Sequence, residues 1–563
     1  MMRAPEQRAI GHLLGWVALI TTVAATPFTT LDPINLPKLL VISIGGFMSL
    51  AFALVNWNKV FKGEHKTPAL LAGFFITDLT LVLLLSGSAF NQEFFGTNGR
   101  STGFVAYVGL AGLFLAGLIS ATRSTLNRAS WFLLVAGLLS IVYGVLQSVG
   151  VEPAKWVSSY SPVIGFLGNP DFQSAFVGFS GVMAFAMMLN SGISKTFRIV
   201  LLSFLGTALY VIKETHAQQG FLVLLGGIAV IGLIWVYKSR LKALTLPLVG
   251  LGSLGAIVIV LGSLNVGPLA SLLHKVSVIY RGDYWRAGWK MTLDHPFFGV
   301  GLDSYGDWYR RSRTLEATLR RGPDVTSNAA HNVLLDFSSN GGFPLLLIYL
   351  ALMALVVIAA FRVIRRSAKF DPVFTGLFAV WVAYQAQSII SLNQLGLAVW
   401  GWIISGLIIG YEIQTRQESG ESIVEKSAKR DKFRKTTSTQ AVLPSTVITL
   451  FIGLLVGLMV GLVPFVASAK YKSALETSDK VKIQAAAYIK PLDISRMLQV
   501  SMTLRDNKLQ ADALSVIEDA LVKFPDSYDA WKVLASLTTA SPAQIAEAKT
   551  QMKRLDPHNP ELK

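Results

Sequence analysis

Residues 243–266 read ALTLPLVGLGSLGAIVIVLGSLNV and contain no charged side chain. About 20 apolar residues are enough for a helix to cross the roughly 30 Å hydrocarbon core of a bilayer, so this stretch predicts a membrane span. Comparable stretches recur along the chain, and only 15% of its 563 residues are charged, whereas a soluble domain carries roughly 25%. The sequence therefore predicts an all-α, polytopic helical membrane protein and excludes a soluble globular one.

The same criterion applied to the whole chain predicts about 13 spans, at residues 10–30, 36–57, 68–87, 102–120, 130–149, 170–189, 196–214, 219–237, 243–266, 342–361, 373–392, 394–412 and 444–467. Alternate short connectors carry two to four Lys or Arg residues each, whereas the opposite ones carry one each, Lys38, Arg100, Lys155 and Lys213. The positive-inside rule then places the N-terminus in the cytoplasm. A cleaved signal peptide in the first span is the alternative, and it leaves the other orientations unchanged.

Three hydrophilic regions set the domain plan. Residues 1–412 form a membrane domain with a large outer connector at 267–341. Residues 413–440 are predicted to be a basic, flexible cytoplasmic linker, and residues 441–467 an additional span. Residues 468–563 then form an extracytoplasmic tail. In the tail, Lys490-Pro491, Phe524-Pro525 and Asp556-Pro557 are separated by 34 and 32 residues, a spacing typical of the tetratricopeptide repeat. We predict a small α-helical, tetratricopeptide-like tail, with a plain helical hairpin domain as the alternative.

Charge and cysteine content narrow the possible chemistry. The net charge of +17 is concentrated in the connectors, so membrane topology explains much of it and no nucleic-acid partner is predicted. The chain has no cysteine, which excludes disulfides, zinc-thiolate sites and Cys nucleophiles. No Walker A pattern, Asp-x-Asp pair or paired-His motif is found, so we predict neither a metal nor a cofactor.

The outer connector carries the groups best suited to chemistry. Arg281 and Arg286 are five residues apart, hence about 140° apart on a helix, and would flank a site. Guanidinium groups there suit a diphosphate, and an interfacial segment whose Arg side chains reach lipid phosphates is an equally good interpretation. That second interpretation is favoured for the remaining basic side chains near Trp308 and Tyr309, namely Arg310, Arg311, Arg313, Arg320 and Arg321.

His331 and Asn332 close the outer connector just before a new span. A histidine can take up a proton near neutral pH without a metal, so His331 is a candidate general base. Asn332 could hold its ring or a sugar hydroxyl. A purely structural histidine is the alternative.

These residues belong to an ordered set of motifs that resembles the O-antigen ligase and O-antigen polymerase-like membrane glycosyltransferases. The set covers much of residues 30–412: Leu36-Pro37-Lys38, Phe95-Gly96 with Arg100 and Gly103, Leu146-Gln147 to Pro153, Gly168-Asn169-Pro170 with Phe172, Arg281 with Trp285-Arg286, His295-Pro296 to Gly301, and His331-Asn332 with Leu335 and Gly342.

The resemblance implies a GT-C-like helical fold in the bacterial cytoplasmic (inner) membrane, with the site on its outer face. It implies a metal-independent glycosyltransferase that moves a glycan from an undecaprenyl diphosphate carrier, a lipid-linked oligosaccharide donor, to an unknown acceptor: lipid, protein or growing polysaccharide. By the same resemblance His331 activates the acceptor and Arg281 holds the diphosphate. The tail would recruit an acceptor or a protein partner.

Two departures from the family pattern concern substrate binding. A Ser-Arg pair is common after the seventh span, whereas this chain reads Thr215-His216-Ala217-Gln218-Gln219. Either His216, Gln219 or Arg286 supplies the missing phosphate contact, or the donor differs, or the activity is lost. Asn340 also stands where a Glu is frequent.

Two other function classes stay open at this point. A non-enzymatic transporter of envelope lipids or polysaccharide typically has internal repeats and intramembrane ionisable pairs, whereas this chain offers Asp78 and no clear repeat. An inactive relative that acts as an assembly scaffold through the tail is compatible with the missing Ser-Arg pair.

Overall fold

Nine helices are long and apolar enough to cross a membrane in the residues described by this computed structural model, which are 4–61, 63–156, 161–425, 444–477 and 479–562. These ranges contain helices and turns and no strand. The fold class predicted from the sequence, a polytopic all-α membrane protein, is therefore confirmed.

The helices of the first half of the chain end at a long connector. In chain order they are α1 (Ala4–Val23), α2 (Asn35–Val55), α3 (Trp57–Val60), α4 (Lys66–Leu85), α5 (Phe90–Phe95), α6 (Phe104–Ser120), α7 (Arg123–Ser148), α8 (Pro170–Met188), α9 (Lys195–Glu214), α10 (Gln219–Tyr237) and α11 (Thr245–Ser263).

The long connector, the remaining long helices and the tail follow. They are α12 (Ala270–Leu273), α13 (Val276–Asp294), α14 (Tyr305–Ser312), α15 (Leu315–Arg321), α16 (Val333–Arg366), α17 (Pro372–Ser388), α18 (Leu395–Glu425), α19 (Pro444–Thr477), α20 (Lys480–Ala486), α21 (Ile494–Asp506), α22 (Gln510–Lys523), α23 (Tyr528–Ser536) and α24 (Pro542–Leu555).

Each of the predicted spans overlaps one long helix. Nine of those helices meet the criteria of length and composition, and the other four predicted spans lie on α1, α6, α8 and α17. Two of these, α6 and α17, have only 17 residues, while α1 begins with charged residues and α8 carries polar ones. Most side chains of α6 and α8 are buried inside the bundle. Burial explains why α6 can be short and why α8 can carry polar side chains, because few of these side chains are exposed to lipid.

The predicted flexible linker 413–440 is wrong in its first part. Helix α18 continues past residue 412 to Glu425. Glu412 and Arg416 form an i,i+4 ion pair at 3.3 Å, and Arg416 also reaches Glu64 at 3.2 Å. Such pairs extend a helix beyond the apolar segment that a hydropathy argument detects. The rest of the predicted linker, from residue 426, lies outside the described residues.

The additional span, α19, packs along α2. Gly453, Gly457 and Gly461 recur every fourth residue, and a Cβ on the first two would lie 2.5 Å from atoms of the α2 backbone. Small residues on one helix face allow this backbone approach inside a membrane. The tail that follows α19 lies at the same face of the bundle as the long connector, because Asp556 of the tail pairs with Arg310 and Arg313 of the connector. We call this face the loop face.

A break in α16 shapes the loop face. Gly342 has φ +72° inside this helix, and Phe343 N beyond the break donates to Pro296 O at 2.8 Å. On the other side of the break, the amides of Val300 and Gly301 donate to the free carbonyls of the preceding turn at 2.8 and 3.1 Å. The turn at 295–301 therefore fills the gap, which gives the sequence from His295 to Gly301 a structural explanation.

The tail forms its own apolar core. Helices α21 and α22 pack together, as do α22 with α23 and α23 with α24, around side chains such as Val500, Ile517 and Leu534. Its tetratricopeptide character stays a prediction.

The interfacial interpretation of the arginines at 310–313 is wrong. Arg310, Arg311 and Arg313 lie on the tail rather than at a lipid surface, with carboxylates of residues 526, 529 and 556 at 2.6–3.5 Å. Arg320 instead pairs with Asp283 of α13 at 2.6 Å. The local sequence identified these charged side chains, but it did not identify their acidic partners, which lie far away along the chain.

Candidate functional site

A cavity of about 300 Å³ opens on the loop face, where four helix connectors meet the long loop. Its walls come from residues 32–35, 99–100, 167–172, 391–394, Arg281, Asn328 and His331. These segments precede α2, α6, α8 and α18, so the ends of several helices converge on one polar space. Two of the six sequence-predicted site residues, Arg281 and His331, are brought together there.

The first wall is fixed by a buried lysine and a buried aspartate. Lys38 Nζ donates to the carbonyls of Thr21, Thr22 and Ala24 at 3.1, 3.0 and 2.8 Å, which caps the end of α1. Asp32 Oδ1 accepts the amides of the first turn of α2 at 3.2 and 2.9 Å, and its Oδ2 accepts an amide of the 96–103 connector at 3.2 Å. Two connectors are thereby joined along one side of the cavity.

Arg100 ties the next wall to the long loop. Its Nε lies 3.1 Å from Asp303 Oδ1, and its Nη1 donates to Asn328 O at 2.6 Å. Asp336 at the start of α16 lies 3.8 Å from Nη2. The side chains of Arg100 and Asp303 are 4% and 0% exposed, so each buried charge depends on its partner.

His331 is held in an uncommon backbone conformation. Its φ is +54°, a region that few residues other than glycine adopt. Asp336 Oδ1 accepts the amide of Ala330 at 2.8 Å, and Asn332 Oδ1 accepts the first amides of α16 at 3.0 and 3.2 Å. Strained conformations that surrounding contacts enforce are concentrated at functional sites.

The imidazole of His331 is oriented by two further contacts. Its Nδ1 lies 3.2 Å from the carbonyl oxygen of Ala329. A carbonyl oxygen only accepts hydrogen bonds, so Nδ1 carries the proton and Nε2 keeps the lone pair. The ring stacks on Tyr284 with a centroid distance of 5.1 Å, and Tyr284 is itself held by Arg321, which donates to its hydroxyl.

The surroundings keep His331 neutral. Burial lowers the pKa of His331 to about 4; the hydrogen bond with the Ala329 carbonyl opposes this effect, and the positive charges of Arg100, Arg281 and Arg321 add to it. A histidine with this pKa is uncharged at neutral pH and has a free lone pair on Nε2. It can accept a proton there.

Arg281 is the cation that the cavity leaves available. It lies on α13, and its Nε donates to Ile390 O at 3.0 Å. Its Nη groups have no hydrogen-bond partner among the residues that the structure describes, although its charge acts on the Asp171 carboxylate. A guanidinium fixed at Nε with both Nη groups open suits an oxyanion ligand.

The other predicted site residues lie elsewhere. Arg286 is 63% exposed, with Asp283 and Glu316 at 3.9 and 4.0 Å, and it is not a wall of the cavity. His216 is exposed in the turn between α9 and α10. Asn332 uses its side-chain oxygen to cap α16. Their roles in substrate binding stay predictions.

Gln219 lines a second, largely apolar pocket. This pocket, about 200 Å³ in volume, lies between α10 and α17. Buried side-chain atoms of Gln219 and Gln387, Oε1 and Nε2, have no hydrogen-bond partner in the described part of the chain. Ile390 lines the pocket while its carbonyl receives Arg281, so the apolar pocket adjoins the charged cavity.

Sequence reasoning did not nominate Arg100, Asp32 or Asp171 as site residues. A signal existed for two of them, because Arg100 and the Gly168-Asn169-Pro170 motif were among the sequence features that suggested a family. Asn169 Oδ1 accepts Asp171 N at 2.8 Å and so caps α8. For Asp32 no motif gave a signal.

The fold and the cavity define a multi-pass membrane protein with a polar site where its helix connectors meet. The family model described as O-antigen ligase matches residues 201–350. This part of the chain is therefore similar to O-antigen ligases, which confirms the resemblance predicted from the sequence, and all six nominated site residues lie within the matched range. The general activity of that family is glycan transfer from lipid-linked sugar donors in the bacterial inner membrane. No curated protein matches the chain significantly.

Proposed function

We propose that the protein transfers a glycan from an undecaprenyl diphosphate-linked donor to an acceptor at the outer face of the bacterial cytoplasmic membrane. The observation that carries this proposal is the convergence of a neutral His331 and an open Arg281 on one cavity of about 300 Å³. The first supplies a base and the second a partner for a diphosphate, which are the two groups that such a transfer needs. No metal is required in this scheme.

His331 acts on the acceptor. Its Nε2 takes the proton of an acceptor hydroxyl or amine as that group attacks the anomeric carbon of the donor sugar. The bond between this carbon and the diphosphate oxygen breaks, and undecaprenyl diphosphate leaves with the bonding electrons. The neutral form of His331 is the one that can accept the proton, and burial maintains it.

Arg281 acts on the leaving group. The charge that develops on the bridging oxygen is stabilised by a fixed guanidinium more strongly than by mobile water. Because Nε is held by Ile390 O, little reorganisation is needed when the diphosphate arrives. The adjoining apolar pocket at Gln219 and Ile390 would take the first isoprene units of the carrier.

Arg281→Ala is expected to lower the release of undecaprenyl diphosphate by about 10²-fold, the typical loss for one charge-stabilising donor. Lys290→Ala is the matched control, since it removes a basic side chain from the same helix outside the cavity, where Lys290 forms only an exposed pair with Asp294, and it should stay within about twofold. Release from a lipid-linked glycan pool by the protein in liposomes measures both.

Equal losses in the Arg281→Ala and Lys290→Ala variants would contradict the assignment of the diphosphate to the cavity. No release by folded wild-type protein, over a broad range of glycans and acceptors, would favour the transporter or scaffold instead.

The pH dependence of transfer follows from the lowered pKa of His331. An ordinary histidine, with a pKa of about 6.5, is half protonated at that pH. With a pKa of about 4, roughly 1% is protonated at pH 6, so kcat/KM should stay flat from about pH 6 to 8 and fall below about pH 5. A midpoint near 6.5 would contradict the neutral-base arrangement.

A further inference from the structure

The tail contacts the cavity-lining connectors from behind. Lys472 Nζ donates to Pro27 O at 2.8 Å in the connector that leads to Asp32. Asn91 Nδ2, just before the 96–103 connector, donates to Leu492 O at 3.4 Å. The long loop is contacted through its arginines, so the tail contacts three segments that lead into the cavity walls.

A buried ion cluster joins the tail to the long loop. Asp556 Oδ2, at the end of α24, lies 2.6 Å from Arg313 Nη2 and 3.4 Å from Arg310 Nη1. The three side chains are 0%, 1% and 7% exposed. Charges are buried to this extent only when they are paired, and removal of one partner leaves the others uncompensated.

The same two arginines hold the backbone of the loop. Arg310 Nη1 donates to Pro323 O at 2.6 Å. Arg313 Nη2 donates to the same oxygen at 2.9 Å, and its Nη1 donates to Val325 O at 3.1 Å. Asp556 thus orients the two guanidinium groups, and these groups in turn hold the backbone of residues 323–325.

The segment continues directly into the cavity wall. Three residues after Val325, the carbonyl of Asn328 accepts Arg100 Nη1 at 2.6 Å. His331 follows, with its ring against Tyr284. A displacement of residues 323–328 would therefore move the imidazole, and about 1 Å of misplacement is enough to cost about 10²-fold in rate.

We propose that the C-terminal tail is a positioning element of the site: Asp556, through Arg310 and Arg313, holds residues 323–328 and thereby places His331. Where it concerns catalysis, this inference rests on the proposed function. The tail would then act on its own chain, in addition to any acceptor that it recruits.

The test compares two aspartates of the same cluster in the full-length protein in lipid nanodiscs. Asp556→Asn keeps the shape and removes the buried charge. Asp529→Asn is the matched control, because its carboxylate is 65% exposed and 3.5 Å from Arg310. Amide hydrogen exchange of residues 323–331 should become at least about tenfold faster in the first variant and stay unchanged in the second.

Transfer kinetics give a second readout. Arg281, which holds the diphosphate in the proposed function, lies on α13 outside the segment, so Asp556→Asn should lower kcat about tenfold or more and leave KM for the donor within about twofold. The absence of cysteine allows a rescue. Asp324→Cys with Lys532→Cys, at an exposed ion pair of 2.5 Å, joined by a short bifunctional thiol reagent, should restore kcat in the Asp556→Asn background.

If Asp556→Asn unfolds the tail, seen as faster exchange throughout residues 494–555, Arg313→Lys decides. It keeps the tail sequence and the charge, but an ammonium group cannot replace the fork that spans two carbonyls and a carboxylate. Unchanged exchange of residues 323–331 in the folded variant overturns the proposal. Faster exchange in a protein whose wild type transfers no glycan supports the positioning role and overturns the proposed function alone.

Discussion

Replacement of His331 by alanine is expected to lower glycan transfer by about 10²–10⁴-fold, the usual contribution of a general base. Donor binding should persist, because Arg281 and the apolar pocket are untouched. Transfer should fall because the variant lacks the free lone pair on Nε2, and no other described group in direct contact with the ring replaces it. Single-turnover release of undecaprenyl diphosphate measures the chemical step, and binding of a lipid-linked glycan in nanodiscs measures the donor affinity.

His331→Asn is the matched variant for the backbone. Asparagine tolerates the left-handed region that the φ of +54° requires, so it removes the imidazole with less strain than alanine. Equal losses in the two variants identify the ring as the active group. Transfer by His331→Asn at the wild-type rate would show that the conformation matters and the base does not.

Replacement of Arg100 by glutamine is expected to destabilise the protein by about 3–5 kcal/mol, since it leaves a buried carboxylate without its partner. Asp303, whose side chain is 0% exposed, is the group left uncompensated. The connector at 96–103 and the long loop would then separate at the cavity wall. Thermal unfolding in detergent, followed by tryptophan fluorescence, gives the change.

The double variant Arg100→Gln with Asp303→Asn separates the contribution of Arg100 to stability from its contribution to the cavity wall. It should recover much of the stability, because the Asp303 charge is removed together with its partner and only the more distant Asp336 carboxylate, 3.8 Å from Arg100, loses a cation. It should not recover transfer, because the cavity has lost a wall. A fall of less than about 1 kcal/mol in the single variant would contradict the importance of the pair.

The sequence predicted the membrane spans well, because the length of an apolar segment is set by the bilayer and not by neighbours. The sequence also nominated His331 and Arg281, because both belong to motifs that resemble a known family, but it could not show that connectors from other parts of the chain surround them. It could not distinguish Arg281 from Arg286, since periodicity gives the angle between two side chains but not which one faces the cavity. Helix α18 was predicted too short, because ion pairs rather than hydropathy continue it to Glu425.

The contacts of Arg310 and Arg313 could not be predicted from the local sequence, for a different reason. A local pattern of Arg beside Trp and Tyr is equally typical of a lipid interface and of a protein contact. The deciding partner, Asp556, is 243 residues further along the chain than Arg313. No argument from local composition can detect a contact over this separation.

That separation also has a consequence in time. Ribosomes add roughly 5–20 residues per second, so Arg313 is synthesised roughly 10–50 s before the aspartate that neutralises it. During this interval the long loop has its guanidinium groups but not the tail that orders them. In a newly made chain, residues 323–328, and His331 with them, would therefore be held in place only after α24 and Asp556 had been synthesised and had packed on the long loop.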